Sequence, residues 1–377
     1  MLVNKIKSLL INAGLIIASS LLMLGLMEIF LPHLDNFSLE EAVYQVKRPV
    51  VQALYGEFDP DLRYILQKNL KDIRLYYPGK LDYNVETNSY GFRGAEWDFS
   101  PDRRNIFILG DSFAFGWGVS FEETVGEQLE RKLQSIDPKF QVINLAQSGY
   151  SIQEIVRSFE VFKERLQPES VVYVFCPNDL ENTIEPDVKG NYAIEYIPEP
   201  NDKDKFPDMR AKNQPDAWNW ERIRKGSYLH AFYARFVRPI ISKRIRLSLK
   251  VDSPPVGYDF PPPLSKVLGV PETKEAYFLK YCLDRLAKQV EGKLYLIPTS
   301  DKSILYHYDS EQNLRWVLAD FSKKSAQSHF LDFESFIRQT PDGKKFYFNY
   351  DDHWTVEGHE FAAQMIFQEM QKVYAEK

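Results

Sequence analysis

From Asn105 onward, apolar and polar positions fall into short blocks that change period. NIFILG, residues 105–110, is an apolar run of strand length. EETVGEQLERKLQSI then places Val125, Leu129, Leu133 and Ile136 at helical spacing. FQVINLA predicts a second strand. SIQEIVRSFEVFKERLQ predicts a second helix, with Ile152, Ile155, Val156, Phe159 and Phe162 on one face. SVVYVFCP is almost wholly apolar, as in a parallel sheet covered on both sides. The alternation resumes at about residue 275 with TKEAYFLKYCLDRLAKQV (helix), KLYLIP (strand), EQNLRWVLADFSKKSAQ (helix) and HFLDF (strand). A last helix, TVEGHEFAAQMIFQEMQKVY, closes the chain. Strands alternating with helices predict an α/β fold with a parallel, doubly wound sheet.

Three segments break this rhythm. Leu9–Met27 carries no charge and is long enough to cross a bilayer as a helix. Lys5 and Lys7 precede it, which favours that end in the cytoplasm and places the rest outside as a single-pass, periplasmic or extracellular domain. Ala18-Ser19-Ser20 offers a signal-peptide cleavage site, but the apolar run continues past it and favours an uncleaved anchor over 1–34. Residues 35–104 form a lead-in rich in turn signals. Within it, IRLYYPGKLDYNVETNSYGFRG predicts a hairpin closed at Pro78-Gly79-Lys80, then tight turns at Gly91 and Gly94. Residues 185–274 separate the two halves of the alternating pattern, 105–184 and 275–377. This mixed insertion is far longer than the connections usual in such units. It holds a loop rich in Pro, Asp and Asn, a basic aromatic helical stretch and a proline-rich return. Its place corresponds to the C-terminal strand ends, where ligands bind in such folds. Three readings of its basic face stay open: a solvated helix side, contact with anionic headgroups, or substrate binding.

Length and charge narrow the function classes. The 377 residues can bury a full core, and the net charge of −6 gives no sign of nucleic-acid binding. Cys176 and Cys282 have neither disulfide-framework nor metal-ligand spacing, and predict two buried thiols, with a single bridge in an oxidising compartment as the alternative. His33, His230, His307 and His329 lack a clustered ligand pattern, so no metal or organic cofactor is expected. There is no dinucleotide fingerprint or Walker loop to support a nucleotide-binding domain.

Candidate chemistry sits at four points. Gly110-Asp111-Ser112 follows the first strand, where a turn can expose a hydroxyl and aim backbone N–H groups at an anion. NLAQSGYS follows the second strand, and Gly149 permits a close backbone approach there. CPNDLENT follows the third, where Asn178 offers an amide to a developing oxyanion and Asp179 a brace for the loop. NYDDHWTVEGHEFAA precedes the last helix and sets Asp351, Asp352 and His353 together. A neutral histidine held by a carboxylate activates a hydroxyl nucleophile. Taken singly, each segment is also ordinary turn or capping chemistry, with Ser151 and Thr355 as N-caps. His359 lies on the helix and reads as packing. Phe113, Phe115 and Trp117 suit either a sugar or acyl wall, or loop packing.

The order Ser112, Gly149, Asn178, His353, each at a strand end or before the last helix, resembles the SGNH hydrolases, also called the GDSL family. The resemblance covers 105–184 and 275–377, and TNSYGFRG with GDSFAFGWGV resembles a bacterial, membrane-anchored branch. It implies a flavodoxin-like three-layer α/β/α fold and a serine esterase. Ser112 would be the nucleophile and His353 the base; Ser112, Gly149 and Asn178 would form the oxyanion hole, with Asp111 in support. One departure is Tyr350 where the family usually has Asp. Asp351 stands two residues before His353, an Asp-x-His-Trp ending similar to that of alginate O-acetylation proteins. Asp351 is therefore the expected orienting acid, with Asp352 second. The expected substrate is an O-acyl, especially O-acetyl, ester of a cell-envelope glycan or related molecule. The alternatives are an O-acetyltransferase on exported polysaccharide, working beside a membrane acyltransferase partner, or an inactive scaffold or glycan-binding module.

Overall fold

The computed structural model describes residues 2–33, 56–77, 79–180, 227–233, 237, 274–299 and 312–375. Most of the 185–274 insertion, the first part of the lead-in and His307 lie outside the described residues.

The chain opens with α1 (Leu2–Phe30). Among the described residues, Ile11–His33 is the one helical stretch long and apolar enough to cross a membrane, by length and composition an anchor or a signal sequence. Two hairpins follow. β1 (Gly56–Asp59) pairs antiparallel with β2 (Arg63–Leu66), and β3 (Ile73–Tyr77) with β4 (Leu81–Val85). The second is the predicted hairpin; the first lies in a stretch whose pattern shows only turn signals. In β4, Leu81, Tyr83 and Val85 point inward while Asp82 and Asn84 do not, the two-residue period of a half-buried strand.

The body continues as β5 (Arg104–Gly110), α2 (Ser112–Phe115), α3 (Val125–Gln134), β6 (Phe140–Asn144), α4 (Ile152–Leu166) and β7 (Ser170–Phe175). After α5 (Tyr228–Phe232) come α6 (Lys274–Ala287), β8 (Lys293–Pro298), α7 (Gln312–Lys324), β9 (Ser328–Phe330), α8 (Phe333–Gln339) and α9 (Val356–Ala375). β5 to β9 form one sheet in the order β6-β5-β7-β8-β9, and every neighbouring pair is parallel. Counted within the sheet this is the flavodoxin-like order.

Alternation along β5 divides the core into two layers. Ile106 and Ile108 join Leu129 of α3, Ile337 of α8 and Ile366 of α9. Phe107 and Leu109 join Phe159 of α4, Leu283 of α6 and Leu318 of α7. Helices thus cover both faces, which is why β7 is buried at every position and reads as an unbroken apolar run. The three-layer α/β/α expectation holds. Cys176 and Cys282 are free and buried.

Two local readings fail for local reasons. Ile136 continues the helical spacing in sequence, but α3 stops at Gln134 and Ile136 is 53% exposed. HFLDF, residues 329–333, continues the strand β9 only as far as Phe330, because the Asp332 side chain accepts the Ser335 N–H and starts α8.

α1 and α5 belong to a compact unit separate from the α/β body. Within it, the Glu28 carboxylate accepts from Ser227 Oγ at 2.9 Å and from the N–H groups of Tyr228 and Leu229 at 2.9 and 2.7 Å. Leu31 and Ala231 are buried beside these bonds.

Candidate active site

The inner strand β5 ends at Gly110, where a side chain would collide with Val174 O and Ala114 Cβ, each at 2.8 Å. The chain turns at once into α2. Asp111 caps that helix by accepting the Phe113 N–H at 3.0 Å. Ser112 is therefore the first residue of a helix at the C-terminal edge of the sheet, and is 8% exposed. Gly116, at φ +84°, ends α2 in the left-handed region.

The segment before α9 folds into a closed turn. Tyr347 bridges Trp354, Phe348 N–H donates to His353 O at 3.0 Å, and Thr355 N–H to Phe346 O at 3.0 Å. Thr355 Oγ1 accepts the Gly358 N–H at 3.3 Å, the expected cap. Trp354 is fully buried between Phe113 and Phe333. On this turn His353 Nε2 lies 2.7 Å from Ser112 Oγ. His353 Nδ1 hydrogen-bonds Asp351 Oδ1, which also accepts the His353 backbone N–H at 3.1 Å. Asp351 is fully buried, and it rather than the half-buried Asp352 meets the imidazole. A serine hydroxyl, an imidazole and a carboxylate linked in this order can pass the serine proton to the imidazole as the oxygen attacks.

The other expected residues lie on the flanking strand ends. Asn178, in the 3₁₀ turn Pro177–Leu180 after β7, donates its amide to Asp111 Oδ2 at 2.9 Å. Ser112 Oγ stands 3.4 Å from the same oxygen. Asp179 accepts from Tyr173 OH at 2.8 Å and from Cys176 N–H at 3.1 Å, so it braces the turn. Burial, with the Asp111 charge second, pushes the Asp179 carboxyl well above the ordinary range. Gly149, exposed and at φ +87°, sits in the loop after β6, on the other side of β5. That loop is tied by Tyr64 OH to Ser148 O at 2.7 Å and ends in the Ser151–Glu154 capping box. His359 is packing, as expected: it is buried, its Nδ1 accepts the Val125 N–H at 3.3 Å, and burial pulls its pKa down to about 3. Among the described residues no group of three or more His, Cys, Asp or Glu could share a metal ion.

Phe113, Phe115 and Trp117 are buried, so the packing alternative describes them. Phe113 lies 4.9 Å from the His353 ring. Two contributions had no signal in the sequence. The Trp117 indole N–H donates to Asp351 Oδ2 at 3.1 Å. Arg93, within TNSYGFRG, is buried under the loop that follows Ser112. A lone arginine beside glycines and a tryptophan in an aromatic loop name no partner in one dimension.

No family model matches the chain, and no curated protein does. Among solved structures, the chain is similar to a lipase/acylhydrolase from Enterococcus faecalis, with 12% identity over 71% of this chain and 96% of that one and a TM-score of 0.39. It is similar to the psychrotrophic esterase EstA from Pseudoalteromonas sp., with 12% identity over 72% and 99% and a TM-score of 0.37. It is also similar to a two-domain esterase active on acetylated mannans, with 10% identity over 73% and 50% and a TM-score of 0.39.

Proposed function

We propose that this chain is a membrane-anchored serine esterase of the SGNH type, facing outward and removing O-acyl groups, acetyl foremost, from a cell-envelope glycan or related ester. The observation that carries this reading is the hydrogen-bonded chain from Ser112 Oγ through His353 to the buried Asp351. Its position at the C-terminal edge of a parallel sheet, where doubly wound folds bind ligands, supports it.

In this mechanism Ser112 Oγ attacks the ester carbonyl as His353 Nε2 takes its proton. Asp351 keeps the imidazole in the tautomer with Nδ1 protonated and stabilises the imidazolium. The backbone N–H groups of Ser112 and Gly149 and the Asn178 amide stabilise the oxyanion. The C–O bond to the alcohol breaks, and His353 returns the proton to the departing oxygen. Water, activated by the same imidazole, then attacks the acyl-serine and releases the acid. A second reading, acyl transfer to a sugar hydroxyl in place of water, is favoured by the Asp351-x-His353-Trp354 spacing. A membrane acyltransferase would then be the donor-side partner.

The test is the full-length protein in detergent with a panel of acetyl esters and acetylated glycans, wild type against Ser112→Ala. Hydrolysis lost in the variant supports the esterase. Acetyl appearing on added glycan in preference to water selects transfer. No turnover, with no labelling of Ser112 by an organophosphonate, leaves an inactive scaffold or glycan-binding module.

A further inference from the structure

Asp351 is held from two sides. One oxygen, Oδ1, faces the His353 ring and backbone N–H. The other, Oδ2, accepts the Trp117 indole N–H at 3.1 Å. Trp117 is 3% exposed and Asp351 0%, so neither group trades this bond for bulk water. A carboxylate bonded through one oxygen can still rotate about its own axis. A donor on the second oxygen removes that freedom and keeps Oδ1 toward the imidazole. The Trp117 ring also lies 5.9 Å from the His353 ring and meets Tyr83 edge-on at 6.3 Å.

The indole is itself fixed by a clamp from the lead-in. The Arg93 guanidinium donates to Phe115 O at 3.1 Å, Gly116 O at 2.6 Å and Val119 O at 2.6 Å. These carbonyls bracket residue 117. A fourth bond, to Asn84 O at 3.2 Å, ties the same side chain to β4. The guanidinium is planar with donors in fixed directions, so one residue sets the course of the loop on both sides of Trp117. The approach is close: a Cβ on Gly116 would stand 3.1 Å from Arg93 Nη1 and 2.4 Å from Thr124 Cγ2.

We infer that Trp117 is a positioning residue for the acid of the Ser112–His353–Asp351 chain, and that Arg93 holds it in place. The inference deepens the hydrolytic reading and rests on it. TNSYGFRG thereby becomes part of the machinery that orients the base, although it touches no reacting atom.

The test is Trp117→Phe in the full-length chain, which keeps an aromatic ring and removes the donor. The expected result is a fall in kcat of about 10- to 100-fold with KM unchanged, the size of one hydrogen bond to a charged group. In an Asp351→Asn background the same substitution should change kcat by about twofold or less, because the carboxylate it orients is already gone. Should Trp117→Phe not fold, benzothienylalanine at position 117, with sulfur in place of N–H, gives the same comparison at constant shape. An unchanged kcat, or losses that multiply across the two backgrounds, overturns the inference. Ser112→Ala in the same assay tests the underlying reading separately: activity surviving that change removes the serine mechanism whatever Trp117 does.

Discussion

Ser112 Oγ and His353 Nε2 meet at 2.7 Å across 241 positions of chain. Neither residue is placed by its immediate neighbours alone. Ser112 is aimed by the end of β5 and the Asp111 cap, and His353 by the bridge between Tyr347 and Trp354. The parallel sheet supplies the long-range part, since β5, β6 and β7 all end on the edge that carries Ser112.

The two adjacent carboxylates before His353 should behave differently. Asp351→Asn should lower kcat by about 10²- to 10⁴-fold, because an amide holds the wrong imidazole tautomer and offers no charge to the imidazolium. Asp352→Asn should stay within about threefold, since its carboxylate is not the one on Nδ1. Steady-state kinetics on one acetyl ester decides the matter. The reverse ranking would move the acid to Asp352.

Asn178 spends one amide hydrogen on Asp111 Oδ2. A side-chain amide has two, and the second is the one assigned to the oxyanion. Asn178→Ala should therefore lower kcat about 10²- to 10³-fold with little change in KM, the signature of a transition-state donor. A loss below about tenfold would take Asn178 out of the oxyanion hole.

Part of this site was legible in sequence because its scaffold is periodic. NIFILG and SVVYVFCP are apolar throughout since helices cover both faces of β5 and β7, and such runs announce where strands end and loops begin. Ser112 and Asn178 could be picked out because each stands at such a boundary, and His353 because it stands just before the amphipathic run of α9. What periodicity does not encode is direction. Periodicity does not choose between the two aspartates of DDH, and only the Asp-x-His-Trp resemblance points to the first; in the structure the turn closed by Phe348 N–H on His353 O decides it. Ile136 kept helical spacing past the end of α3, because spacing does not register where a cap falls. The contacts of Arg93 and Trp117 span 26 and 234 positions respectively, so no local pattern contains them.

Arg93 should matter to stability as much as to activity. Burial lowers its pKa to about 10, so it remains a cation at neutral pH among backbone carbonyls. Arg93→Met would leave the Phe115 and Val119 carbonyls without this donor, at about 1–3 kcal/mol for each unsatisfied group. We expect a total loss of about 3 kcal/mol, measured as a lower denaturant midpoint at unchanged slope. Arg93→Lys should recover only part of it, because an ammonium keeps the charge without the planar fork. Equal stability of all three proteins would show that the clamp is incidental.

His359 should tie stability to acid pH. Burial, with the Arg93 charge second, lowers its pKa from 6.5 to about 3. Between those values the unfolded chain binds a proton that the folded chain refuses. The contribution is thus fully present above pH 6.5 and is lost as pH falls toward 3, by about 1.4 kcal/mol per unit. Glu127 acts in the opposite sense. Burial and the neighbouring Glu130 push it up from 4.5 to about 7, so its contribution is present at low pH and lost as pH rises through that window. The two offset each other near pH 5 to 6 and can mask His359 in the wild type alone. His359→Gln keeps an acceptor for the Val125 N–H and removes the proton site. Urea unfolding followed by tryptophan fluorescence should show the variant gaining on wild type by about 1.4 kcal/mol for each unit of acidification from pH 6 to 4. Parallel curves for the two proteins would rule out His359 as the source of acid sensitivity.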